Sequence, residues 1–143
     1  MKKIILTMLL IFWMILIFCF SNQKAVASTE NSQSFVRNTI VTIYKLFDSN
    51  ASEEKINLIV ETFDAPVRKV AHFIEYFILG GIVFFTFKAY NINNIYIMLI
   101  FCFLYACSDE IHQLFVPGRS GSIIDVILDS LGSMSSLLIF KRK

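Results

Sequence analysis

Charge is what this chain has least of. Asp, Glu, Lys and Arg make up only 17% of its 143 residues, against 56% hydrophobic. That balance argues against a soluble globule and for an integral membrane protein, with length enough for a single domain. The formal net charge of +2 is too small to point to nucleic acid. Internal repeats and low-complexity tracts are absent. The three cysteines, Cys19, Cys102 and Cys107, are odd in number and all lie in apolar segments, where a thiol behaves as a small hydrophobe rather than half of a disulfide. None is spaced from a histidine as a zinc ligand would be, which argues against a thiolate metal site.

What remains is a series of apolar runs. Lys2 and Lys3 precede the first, Ile4 to Phe20, which together with its flanks is long enough to span. Ala25, Val26 and Ala27 offer an A-x-A cleavage site, so a signal peptide is the rival reading; the apolar run is longer than such peptides usually carry, which favours a retained span. In both cases Ser28 onward lies outside. Residues 21–66 form a polar outer loop with two amphipathic helices. The first sets Val36, Ile40, Ile43, Tyr44 and Phe47 at steps of three and four. The second runs from about Glu53 to Phe63 with Ile56, Ile59, Val60 and Phe63 on one face and Ser52 or Asn50 as N-cap. A loosely ordered loop is the alternative.

Asp64, Ala65 and Pro66 are expected to end that helix, with Pro66 in the first turn of a second span over about 67–87. Lys88 to Asn94 makes a polar turn. The third apolar run, Ile95 to Cys107, counts only 13 residues. At about 1.5 Å per residue that is too short for a hydrocarbon core of about 30 Å, so the third span must continue through Asp109, Glu110, His112 and Gln113 to about 115. Pro117 to Gly121 turn the chain into a fourth span over about 122–140. The expected fold is therefore all-α and polytopic, a single domain of four transmembrane helices with a helical extracytoplasmic loop between the first and second.

Charge placement orients it. With the N-terminus inside, the inner segments hold Lys2, Lys3, Lys88, Lys141, Arg142 and Lys143 and no acid, while all 11 Asp and Glu lie outside or in outer helix ends. That positive-inside pattern places both termini in the cytoplasm.

Ionisable groups inside a membrane need a reason to be there. Arg68, His72, Glu75 and Leu79 share a helical face, as do Asp109 and His112, and Asp125, Asp129 and Gly132. Three helices thus bring polar groups to one layer near the outer face. Bland readings compete with this. Asp125 lies three residues after Ser122, an S-x-x-D capping box. Asp129 has Arg68 or Lys69 as an ion-pair partner. Glu110 and Gln113 suit a solvated or headgroup-facing side, and Arg68, Lys69 and Arg119 suit headgroup anchors. If the layer is functional, His72, Glu75, Asp109, His112 and Asp129 are the candidates for acid–base chemistry, and His72, Glu75, Asp109 and His112 for a divalent metal cofactor. Arg68, Lys69, Gln113, Gly118, Arg119 and Asp125 are candidates for ligand binding. The Gly118 to Gly121 turn, leading into a helix N-terminus beside an arginine, suits an anionic phosphate.

R-K-x-A-H-F-x-E-Y from Arg68 to Tyr76, D-E-x-H-Q-x-F-V-P-G-R from Asp109 to Arg119, and D-x-x-x-D-x-x-G from Asp125 to Gly132 together closely resemble the VanZ-like family. The resemblance runs from Phe20 to the C-terminus, and its one departure is Ser133, Ser135 and Ser136 where the family often has a further small residue. It implies a multi-pass protein of the bacterial cytoplasmic membrane, a family whose namesake is associated with low-level resistance to the glycopeptide teicoplanin. The partners then expected are the bilayer itself and a phosphate-bearing envelope lipid or glycopeptide-related target. A non-catalytic module that shields lipid or docks a partner through residues 21–65 is the alternative. A proton-coupled transporter is weaker, because no acid or histidine lies in the inner half of any span.

Overall fold

The structure, a computed structural model, describes residues 1–23, 25–47 and 52–142, without the side chains of 25–28 and 44–47. It contains α1 (Lys2–Ser21), α2 (Ala25–Phe47), α3 (Glu53–Ala89), α4 (Ile95–Gln113) and α5 (Ile123–Lys141). All but α2 are long and apolar enough to cross a membrane.

The bundle is apolar on the outside and holds buried polar groups within its apolar core. Ile5, Phe12, Ile74, Phe85, Phe103 and Ile127 are exposed, whereas Asp129, Ser133, Ser136 and Thr86 are buried. A chain solvated by lipid can expose such a belt; in water so much contiguous apolar surface would aggregate. The core gathers Tyr76, Leu79, Val83, Met98, Cys102 and Leu137 from α3, α4 and α5 with Leu10 and Ile17 from α1.

The hub is α3, against which every other helix packs. Its tightest neighbour is α5, and two glycines make that approach possible. A Cβ at Gly80 would lie 2.5 Å from the Ser133 carbonyl oxygen, and one at Gly132 would collide with the Phe73 backbone. Close backbone contact through small residues is how helices pack where lipid offers no hydrophobic drive.

The first apolar run is an integral part of the bundle. Trp13 Nε1 donates to the Glu75 carbonyl at 3.0 Å, Tyr105 Oη to the Met14 carbonyl at 2.6 Å, and Thr86 Oγ1 to the Leu6 carbonyl at 3.4 Å. The backbone of the Ala25–Ala27 site is already helical as the start of α2; its side chains lie outside the described residues.

Two helices were expected between residues 52 and 87, and the structure has one. α3 runs unbroken through Pro66 for 37 residues, about 55 Å at ~1.5 Å per residue, so its N-terminal part extends beyond the hydrocarbon. Proline removes one helical hydrogen bond and costs about 3 kcal/mol in a helix interior. Packing offsets that cost, because Ile56 and Val60 are buried against Val36 of α2, with Ile40, Val41 and Val67 around them. The ion pair of Asp64 with Arg68, 3.3 Å, straddles the proline. Ser52 is the N-cap, accepting from the Lys55 amide at 3.4 Å; Asn50, the other candidate, lies outside the described residues. On the outer face of this pair Ile43 and Phe63 are exposed rather than packed. Tyr44 and Phe47 lie outside the described side chains.

Candidate functional site

Two adjoining cavities open where α1 ends and α3, α4 and α5 come together. The larger, about 380 Å³, lies between α2 and α3 and is walled by Phe20, Phe35, Val67 and Ala71 together with Arg68, His72, Glu75 and Arg119. The smaller, about 240 Å³, lies against the 114–122 loop and is walled by Arg68, Lys69, His72, Gln113, Gly118, Arg119 and Asp125. Arg68, His72 and Arg119 belong to both.

Each shared wall is held by identifiable bonds. Arg68 Nη1 donates to Thr29 Oγ1 at 2.8 Å and Nη2 pairs with Asp64, whose other carboxylate oxygen accepts from Ser32. This chain of contacts ties α2 to α3. His72 Nδ1 lies 3.7 Å from Glu75 Oε2, one turn along the same face, and both side chains are about four-fifths shielded, with 23% and 20% exposure. Arg119 donates to the Gln23 carbonyl at 2.9 Å, to Gln113 Oε1 at 3.2 Å and to the Phe20 carbonyl at 3.5 Å. It thereby places a cation at the negative end of α1, where a helix favours one. Partial burial pulls the Arg119 guanidinium below its usual pKa, opposed by the neighbouring Asp109 carboxylate. A guanidinium nonetheless stays charged at any physiological pH.

Glu110 and Gln113 correct one expectation. Both are buried rather than solvated. Glu110 Oε2 accepts the Ser122 amide at 2.8 Å, so the first free amide of α5 is capped from α4. Ser122 makes no side-chain cap, and the S-x-x-D box is not formed. This takes one of the N-terminal amides of α5 away from a phosphate. Gln113 Nε2 donates to Glu110 Oε1 at 3.2 Å and to Asp109 Oδ2 at 3.4 Å while its carbonyl receives Arg119. The loop reverses at Gly118, whose φ of 80° favours glycine. Much of the D-E-x-H-Q-x-F-V-P-G-R run therefore acts as a brace between α4, the loop and the end of α1.

His112 departs from the cluster. It shares no wall of either cavity; its ring lies against Phe18 at 4.3 Å between centroids, and Nε2 is 3.3 Å from Asn22 Oδ1. Asp109 turns the other way, into the bundle. Among the described residues no three His, Cys, Asp or Glu side chains are placed to hold a metal ion, so His72, Glu75, Asp109 and His112 do not form the metal set their sequence positions suggested.

Behind the cleft lies a buried layer with few partners. Asp129 is 1% exposed, and among the described residues neither of its carboxyl oxygens has a hydrogen-bond partner. The expected ion pair with Arg68 or Lys69 is not made: Arg68 is engaged by Asp64, and Lys69 is exposed. The electrostatic neighbours of Asp129 are Asp109, Glu110, Asp125 and Glu75. Asp109 Oδ1, Asp125 Oδ1 and Tyr76 Oη are likewise bare, and the Ser21 hydroxyl sits beside Asp109 without completing a bond of good geometry. Each such group costs about 1–3 kcal/mol, which a fold without use for them would shed. Tyr76, wholly buried, is the residue sequence reasoning left out, although it closes the R-K-x-A-H-F-x-E-Y run.

No curated protein and no solved structure matches the chain. The VanZ/LLP1 family model matches residues 6–143, nearly its whole length and every helix of the bundle, and the chain is a member of that family of membrane proteins.

Proposed function

We propose that this protein binds a phosphate-bearing lipid or lipid-linked precursor of the bacterial envelope in the Arg68–His72–Arg119 cleft, which faces outward from a cytoplasmic membrane with both chain termini inside. The observation that carries the reading is the shared wall: two arginines and a histidine stand between a cavity of mainly apolar surface and a more polar one. Guanidinium groups match phosphate oxygens in pairs, and an amphiphile is the ligand that satisfies both kinds of wall. The outward orientation rests on inner segments that carry basic residues and no acids. His72 and Glu75 stand beside the phosphate position as an acid–base pair available for its modification. A link to teicoplanin susceptibility follows as a consequence of altering such a lipid. Strains expressing wild type, Arg68→Gln, Glu75→Gln or Asp129→Asn at equal levels test this through lipid profiles and teicoplanin susceptibility. The proposal expects the variants to resemble the strain lacking the protein; variants indistinguishable from wild type would end it.

A second reading, docking of a partner protein on the α2–α3 arm, is supported by the exposure of Phe35, Leu58 and Phe63 there. It expects replacement of residues 25–47 to abolish function while Asp129→Asn does not.

A further inference from the structure

The two cavities differ in what they accept. Phe20, Phe35, Val67 and Ala71 make the larger one mainly apolar, while Lys69, Ser120 and Asp125 make the smaller one polar. We infer that the ligand is a phosphate ester with a single hydrocarbon chain. Its phosphate sits between Arg68 and Arg119, its chain lies in the larger cavity between α2 and α3, and its polar substituent points toward Gly118. This rests on the lipid reading above and specifies which lipid.

Three observations carry it. First, the bonds of Arg119 to Gln23, Gln113 and Phe20 use three N–H groups. A guanidinium has five, so two are left for a ligand, held by a side chain already fixed in place. Second, volume limits the chain. A methylene takes about the ~30 Å³ that a water molecule occupies in the liquid, so a cavity of about 380 Å³ receives about a dozen chain carbons, enough for most of one acyl chain or for the phosphate-proximal isoprene units of a prenyl chain, with no room for a second chain beside it. The smaller cavity offers a second chain no refuge, because Lys69, Ser120 and Asp125 would be desolvated by it. Third, the polar clasp of Thr29 and Ser32 with Arg68 and Asp64 holds α2 against the larger cavity. The chain would therefore enter from the side of Phe20 and Phe35, both exposed.

Lysophosphatidic and polyprenyl phosphates share this chemistry and are separated by measurement. Purified full-length protein in a phosphorus-free detergent is titrated with oleoyl lysophosphatidic acid, undecaprenyl phosphate and dioleoyl phosphatidic acid by native mass spectrometry, and with glycerol phosphate by phosphorus NMR. At least one single-chain phosphate is expected to bind about tenfold more tightly than the two-chain lipid, and the tighter of the two names the source. Ala71→Trp, which fills the larger cavity from an exposed position, is expected to lose single-chain binding by about tenfold and keep glycerol phosphate binding. Arg68→Gln and Arg119→Lys are expected to lose both. If the arginine variants lose binding while Ala71→Trp and chain number have no effect, the single-chain inference is overturned and the phosphate reading stands. If the arginine variants bind every probe as wild type does, both fall. Ala71→Leu, a smaller change expected to give an intermediate loss, guards against misfolding of the tryptophan variant.

Discussion

Glu110 Oε2 accepts the backbone amide of Ser122 at 2.8 Å across the 114–122 loop. A carboxylate from the end of one spanning helix thus caps the start of the next, and the loop between them is held with Gly118 and Arg119 against the cleft. Replacing it tests the brace directly. Glu110→Ala is expected to destabilise the bundle by about 1–3 kcal/mol, from a lost cap and a stranded Gln113 amide. A thermal midpoint in detergent no lower than that of wild type would contradict this.

Asp129→Asn is expected to act in the opposite direction. A buried carboxyl with two bare oxygens among acidic neighbours is a cost the fold carries; an asparagine, which cannot ionise, escapes the repulsion of those neighbours, although its amide is as short of partners as the carboxyl was. The midpoint should rise slightly, while function falls. A variant that is less stable and fully functional would make Asp129 structural. Stability lowered for the sake of a site is common in natural proteins.

Gly80→Leu should separate α3 from α5. The added Cβ meets backbone at Ser133 rather than a side chain that can move, so a loss of about 3 kcal/mol or more is expected, read as loss of folded protein in detergent. Gly81→Ala, whose Cβ would meet the Phe140 ring and the Ser136 hydroxyl at 3.1 and 3.2 Å, should be far milder. Equal effects would mean that the α3–α5 contact is loose.

Topology is open to labelling. With Cys19, Cys102 and Cys107 replaced by Ala, a cysteine at Ser120 should react with a membrane-impermeant maleimide added to whole cells, and one at Asn93 only after the cells are opened. The reverse pattern would place the cleft inside and end the envelope-lipid reading.

The helical membrane fold was legible because apolar runs and polar breaks report directly on lipid, and the short run from Ile95 to Cys107 carried α4 on through Asp109, which is buried; the burial of Glu110, expected on a solvated side, was not legible. The continuity of α3 was not legible. Proline is a local signal, while the contacts that override it, Val36 with Ile56 and Val60 and Asp64 with Arg68, join residues up to two dozen apart in the chain. At the site, helical periodicity put Arg68, His72 and Glu75 on one cavity wall. It failed for His112, because residues three apart on a helix differ in direction by enough for Asp109 to face the core while His112 meets Phe18 of α1. The cap that Glu110 gives Ser122 was invisible for the same reason as the α3 contacts: a capping box is a local pattern, and this cap comes from the preceding helix.

The most direct measurement is native mass spectrometry of the protein purified from bacterial membranes in a mild detergent, comparing wild type with Arg68→Gln. The cleft predicts a phosphate-bearing lipid that stays with wild type and is lost or strongly depleted in the variant. The same lipid retained equally by both, or no lipid on either, would contradict it.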